Sequence, residues 1–413
     1  MSSDNQPQHA SRRRFVTAAG AASLTLAAPA IVRAQGKKPI KVTVGRQPWA
    51  AGNSPVTQHM LNNKTFERFA ADAGYDLTVD YRDYPSALPM VEAFVSKNLD
   101  FGMWGNTPIV RLIAQKQPIQ LISVGEGHFR FVLATRKDSP IRNLADLKGK
   151  TVGALLGGDP YNVLSQWLRF ELGNPDPRAH NITIVNTPTQ AQAASMPTGM
   201  DAAVLIYPAF LKANAELGVV GIINSFGFTE SHYKGPDGEG AGILLPSVKK
   251  SPFYPDGYYL HRSFWIGSPT IVNSDPAIVT AFVQAQQDAV GKLSGMNPGE
   301  VSQLSRKYWE LDPALGAKVV GDEVLFLRGW VWPTEGDALA LLETSKFMVE
   351  GRMIPKPLEW SQVRDAFALA APAVRVAYEK SGRKPDAAQF ETKEAKDLRG
   401  APVWEMQRWR ERS

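Results

Sequence analysis

Apolar and polar positions follow two periods along this chain, and the periods take turns. Ile40-Lys41-Val42-Thr43-Val44-Gly45 alternates β-branched and polar residues and ends in glycine, which predicts a buried strand. Asn62 to Gly74 places Phe66, Phe69 and Ala70 on one helical face, with Gly74 as the stop. Leu77-Thr78-Val79-Asp80-Tyr81 alternates again. Leu88 to Asn98 carries Leu88, Val91, Phe94 and Val95 at helical spacing. Asp100-Phe101-Gly102-Met103 is long enough only for a strand. Pro108 to Gln115 then predicts a helix with Pro at its first position, and Ile119 to Val124 a further strand. Strands alternating with helices predict an α/β unit whose sheet is dominated by parallel pairs.

A second unit repeats this order from Phe131-Val132-Leu133-Ala134-Thr135 onward. Lys150-Thr151-Val152-Gly153 echoes the strand that ends at Gly45. Gly157-Gly158-Asp159-Pro160 leads into a helix over 161–172, and Ile182 to Val185 is the next strand. Asp201-Ala202-Ala203-Val204-Leu205-Ile206-Tyr207-Pro208 then echoes Asp100 to Pro108: an Asp, a short apolar strand, and a Pro that opens a helix. From the strand-ending glycine to that Asp there are 55 residues in one unit and 48 in the other. Three features recurring in one order predict a duplicated topology. Residues 225–262 read as irregular. A strand is predicted over 264–272, a helix over 277–293 capped by Asp275-Pro276, helices through 297–351, and a peripheral polar tail after Arg383.

The N-terminus changes the picture of where this chain works. Ser11-Arg12-Arg13-Arg14-Phe15-Val16, a mildly apolar Ala-rich stretch and Val32-Arg33-Ala34 read as a twin-arginine signal over residues 1–34, cleaved near Ala34. The stretch is too short and too weakly apolar to span a membrane. Export predicts a periplasmic protein. Removing those residues takes away four Arg and one Asp, so the remaining 379 residues carry +3, against +6 for all 413. So small an excess points to no nucleic-acid partner. The sequence has no cysteine. That excludes disulfides, thiolate metal sites and cysteine nucleophiles.

Local motifs for catalysis are missing as well. The six histidines (9, 59, 128, 180, 232, 261) have no zinc-type spacing, and no G-x-S-x-G or G-x-G-x-x-G occurs. Gly149-Lys150-Thr151 ends like a phosphate loop, but Leu144 stands where its first glycine belongs. No metal and no cofactor is expected.

The segment 137–152, KDSPIRNLADLKGKTV, resembles the corresponding segment of periplasmic solute-binding proteins of ABC importers. With Asp100-Phe101-Gly102, Asp201-Ala202-Ala203, SDPAIVTAFVQAQQDA (274–289) and LLETSKFMVEGRMIPKP (341–357), it is similar to the nitrate, sulfonate and taurine group over roughly residues 40–360. Met196-Pro197-Thr198-Gly199 departs from the group, which usually runs a helix into the Gly, and the chain beyond about 360 is longer than the group needs. The resemblance implies a two-lobe periplasmic-binding-protein fold of the second type. Lobe 1 would hold 37–129 and 263–413, lobe 2 130–262, with hinges near 127–131 and 260–264. It implies a non-enzymatic, monomeric receptor that captures a small organic anion (a sulfonate, a taurine-like molecule or an aromatic acid) and delivers it to a membrane permease and its ATPase. Two other readings stand beside it: an enzyme on the same fold, such as a relative of the pyrimidine-precursor synthases, and a sensory receptor.

In open α/β sheets ligands sit beyond the carboxyl ends of strands, where helix N-termini offer free N–H groups to anions. Four such junctions supply candidates. They are Gln47 and Trp49 after the first strand; Trp104, Gly105, Asn106 and Thr107; Gly158, Tyr161 and Asn162; and Tyr207. Each has a plainer role open to it. Asn106 and Thr107 can be helix caps, and Trp49 and Trp104 partly buried aromatics. Arg46 and Arg130 can serve a ligand carboxylate or sulfonate, or a local acid. Asp159 fits a cap better than an anion site.

Overall fold

The computed structural model describes residues 36–49, 54–126, 130–228, 243–254, 257–259, 262–322, 331–382 and 402–405. The export segment, His128 and, of the expected hinges, residues 127–129 and 260–261 lie outside them. The first alternating run forms β1 (Lys38–Arg46). It pairs in parallel with β2 (Tyr75–Asp83) along its whole length, from Lys38 beside Tyr75 to Arg46 beside Asp83. The helix expected over 62–74 is α2 (Thr65–Asp72), and a further helix, α1 (Ser54–Asn62), which the pattern did not mark, precedes it. Lys64 between them takes a left-handed φ of 46°, which interrupts the helical path.

There follow α3 (Ala87–Val95), β3 (Phe101–Gly105), α4 (Asn106–Ala114) and β4 (Gln120–Glu126). Pro108 is the third residue of α4, not its first. Its missing N–H falls in the first turn, where no helical acceptor exists, so the helix opens earlier, at Asn106. The second unit runs β5 (Phe131–Thr135), β6 (Thr151–Ala154), α5 (Asp159–Leu172), β7 (Thr183–Asn186), α6 (Gln190–Ala194), β8 (Ala202–Ile206), α7 (Tyr207–Leu217) and β9 (Val220–Asn224). Helix α6 is only five residues long. The departure at Met196-Pro197 ends it: Met196 has φ 42°, and the Arg136 guanidinium gathers the carbonyls of Met196, Pro197 and Met200.

The chain then returns as β10 (Ser263–Gly267), α8 (Pro269–Ser274) and α9 (Pro276–Leu293). The strand expected through Val272 stops at Gly267, because Ser268 accepts from Ile271 N (3.3 Å) and Pro269 opens α8. Asp275 precedes α9, but its carboxylate accepts from Lys38 (2.5 Å) and Tyr75 (3.2 Å), not from the helix amides. Helices α10 (Pro298–Gln303), α11 (Arg306–Trp309), α12 (Pro313–Asp322), α13 (Glu335–Glu350), α14 (Trp360–Ala368) and α15 (Ala371–Ser381) follow. In the tail, Val403 is buried and its N–H donates to Pro333 O at 3.0 Å, so this part is not peripheral.

Both sheets lie in the unit Lys38–Ser413. Their strand orders are β2-β1-β3-β10-β4 and β7-β6-β8-β5-β9. The fourth strand of each, β10 and β5, runs antiparallel to both neighbours, and the pairs β1–β2, β1–β3, β6–β7 and β6–β8 are parallel. The echo in the sequence is therefore an echo in space. Its physical reason is visible at the two Asp residues. Asp100 accepts from Thr43 N at 2.9 Å and donates its own N–H to Thr43 O at 3.0 Å. Asp201 does the same with Thr151, at 2.8 and 2.8 Å. Each Asp satisfies an amide of the neighbouring strand just where pairing begins. Each sheet with its helices is one lobe of a two-lobe α/β fold. The first lobe is packed around Phe66, Phe101, Trp265 and Phe282, with the Phe101 and Phe282 rings stacked at 4.8 Å.

Candidate functional site

Seven strand ends meet at one cavity between the sheets. Gln47 follows β1, Trp104 and Gly105 end β3, and Glu126 ends β4. Phe131 begins β5, Leu155 follows β6, Ile206 ends β8 and Ser263 begins β10. The cavity has a volume of about 610 Å³ with its opening to solvent included. Its remaining walls are helix starts: Ser86 and Ala87 at α3, and Gly158, Asp159 and Pro160 at α5. The N-cap residues of α3, α4 and α5 make no side-chain cap bond of their own, which leaves the first amides of these helices to other partners.

The predicted residues divide between three places. Gln47, Trp104, Gly105 and Gly158 line the cavity. The Gln47 amide donates to Met103 O at 2.6 Å, which fixes it on the wall. Trp104 is both wall and core. It is 1% exposed, meets Phe94 edge-on at 5.3 Å, and covers Gly102 so closely that an added Cβ there would lie 1.8 Å from its ring. Asn106, Thr107 and Asn162 are buried just behind the cavity. Trp49 lies outside it, 42% exposed, with its ring edge-on to Tyr308 at 5.2 Å. Tyr207 is buried beneath the Arg130 guanidinium, 3.9 Å above its ring. Tyr161 is half-buried away from the cavity, its phenol pKa raised by burial and by Asp176.

Asp159 caps, as its chemistry suggested, but it caps the opposite lobe. Its Oδ1 accepts from Thr107 N of α4 at 2.8 Å and from the Tyr259 hydroxyl at 2.6 Å. Asn162 Nδ2 donates to Thr107 Oγ1 at 3.0 Å, and that oxygen lies 3.2 Å from the Tyr259 hydroxyl. A carboxylate from one lobe thus sits on the amide end of a helix from the other, where an anion is expected. Arg46 serves a local acid, Asp83, at 2.6 Å. The sequence reading missed Ser86, Glu126, Tyr259 and Ser263. Glu126 and Ser86 had a readable signal, since each stands where a strand ends or a helix begins. Ser263 Oγ donates to Glu126 Oε2 at 3.0 Å. Among the described residues no three His, Asp or Glu gather as a metal site, and no helix is long and apolar enough to cross a membrane.

Burial, and secondly Asp159, raise the Tyr259 phenol well above its ordinary pKa of 10. A group raised in the folded state stabilises the fold fully below the unfolded value and ceases to as pH rises past it. Unfolding free energy should therefore fall above pH ~10. Tyr259→Phe should flatten that alkaline slope, as read by denaturant titrations between pH 8 and 11. An unchanged slope would assign the alkaline loss to other groups.

Residues 50–157 match the family model described as ABC transporter, phosphonate, periplasmic substrate-binding protein. The chain is 36% identical over 90 residues to an arginine-binding extracellular protein, ArtP, of Bacillus subtilis (strain 168), a match spanning 21% of this chain and 32% of that one. Its fold is similar to the alkanesulfonate-binding protein SsuA of Xanthomonas axonopodis pv. citri, solved bound to MOPS, with a TM-score of 0.58 and 18% identity over 81% of this chain and 98% of that one. It is similar also to the periplasmic nitrate-binding protein NrtA of Synechocystis PCC 6803, with a TM-score of 0.56 and 12% identity over 87% and 93%. These matches bear out the resemblance to periplasmic binding proteins of ABC importers, and the two-lobe fold with it.

Proposed function

We propose that this chain is the periplasmic substrate-binding component of an ABC importer, closing its two lobes on a small organic anion and presenting it to a membrane permease and ATPase. It is exported by the twin-arginine route, loses its signal near Ala34 and works as a monomer. The convergence of seven strand ends and three helix N-termini on one buried cavity carries this reading. Among the described residues the lining holds no His, Lys or Cys to act beside the Ser263–Glu126 pair, which favours a receptor over a catalyst. The Asp159 carboxylate already occupies the start of α4, so the acidic head of the ligand belongs at Ser86–Ala87 and Gly158. Glu126 places a carboxylate on the same wall. It suits a ligand that also carries an amine, such as an amino sulfonate.

The test is a thermal-shift screen of the mature protein with alkanesulfonates, taurine, aromatic sulfonates and carboxylates, nitrate and pyrimidines. A ligand at 100 times its Kd adds about 2.7 kcal/mol to the unfolding free energy. A shift with sulfonates or organic acids is expected. No shift with any anion, or a shift with pyrimidines alone, overturns the ligand class, and turnover of the bound molecule overturns the receptor reading.

A further inference from the structure

A second cavity, of about 1150 Å³ with its opening to solvent included, adjoins the inner one and shares Pro85 and Gln190 with it. Its wall on the first lobe is aromatic: Trp49, Tyr308 and Trp309. Trp309 is 3% exposed, yet its indole Nε1 is buried without a hydrogen-bond partner. The facing wall is α7, which presents the small side chains of Ala209 and Ala213. An ion pair between Lys212 of α7 and Glu310 joins the two walls at the rim. Exposed Trp is costly to keep in water, and here it stands edge-on to a tyrosine beside a buried N–H donor.

We infer that this outer groove is a second subsite of the same cleft. It takes the apolar, aromatic end of an amphiphilic anion whose acidic head lies in the inner cavity. This assignment rests on the receptor reading above. The two cavities share Pro85 and Gln190 as walls, so the occupant we assign is one elongated ligand, not an unrelated second molecule. The aromatic wall favours a ring over an alkyl chain, because edge-to-face contacts add to area burial. The ion pair at the rim links the walls only when the lobes are together, so ring capture and closure reinforce each other.

Calorimetric titrations of ethanesulfonate and naphthalene-2-sulfonate into wild type and Trp49→Ala provide the test. The preference for the aromatic over the short sulfonate should fall roughly tenfold in Trp49→Ala. Trp49 lies at the surface, 42% exposed, so its replacement does not threaten folding. If both sulfonates bind wild type and the preference is the same in Trp49→Ala, the outer subsite is overturned and the receptor reading stands. If neither binds wild type, the anion reading fails and the subsite fails with it.

Discussion

Trp104→Ala should lower the unfolding free energy by about 3–5 kcal/mol, the range for removing a fully buried large aromatic side chain. The indole is held on three sides: Phe94 at its edge, Gly102 beneath it and the core of the first lobe around it. Gly102 lies two residues back on the same face of β3, and any Cβ there would collide with the indole. The pair therefore works as one unit, with the glycine making room for the ring. The cavity left by alanine cannot close easily, because β3 is paired on both sides, to β1 and β10. Trp104→Phe should recover most of the loss. Guanidinium titrations of the three proteins provide the measurement. A loss below ~1 kcal/mol for alanine would mean that the ring is far less packed than its burial indicates.

A loss of similar size, about 3–5 kcal/mol, is expected from Asp337→Ala, for an electrostatic reason. Asp337 Oδ1 pairs with Arg262 Nε at 2.7 Å, and both side chains are almost wholly buried. The other oxygen accepts from Thr334 N at 2.8 Å and from its hydroxyl at 3.1 Å, closing the capping box of α13. Alanine removes the cap and deprives a buried guanidinium of its counter-charge. Arg262 directly precedes β10, so the pair fixes where the chain enters the first sheet. Asp337→Asn keeps an acceptor for Thr334 and should fall between wild type and alanine. The double variant Arg262→Met with Asp337→Leu should be closer to wild type than Asp337→Ala. That ordering distinguishes the loss of a charge partner from the loss of packing.

Much of the architecture was legible because it is local. The alternating run at 40–45 and the short apolar run at 202–206 became strands, and the two Asp residues that flagged the repeat each bind a neighbouring strand amide. Helix starts were less legible. Asn106 and Thr107 looked like cap residues, but the cap position belongs to Gly105 and the capping carboxylate comes from Asp159 in the other lobe. No local pattern encodes a cap delivered from 52 residues away. The same limit applied to the aromatics. Trp49 and Trp104 were alike as candidates, and only tertiary packing sends one to an outer groove and the other into a wall of the core. Tyr308 and Trp309, which complete that groove, sit in a four-residue helix with no periodicity to mark them.

Strand β10 sets the order in which this molecule can be completed. It lies between β3 and β4, its Trp265 beside Met103, more than 150 residues back along the chain. Until residue 267 has been made, both of those strands have a bare edge, carrying apolar side chains such as Phe101, Met103, Leu121 and Val124, of the sort that invites pairing between molecules. The second sheet has no such wait, since all five of its strands come from one continuous stretch. A nascent chain of this protein would thus hold one finished half and one gaping half, joined by a long loop-closure step. Its vulnerable interval during synthesis is the one between Glu126 and Ser263.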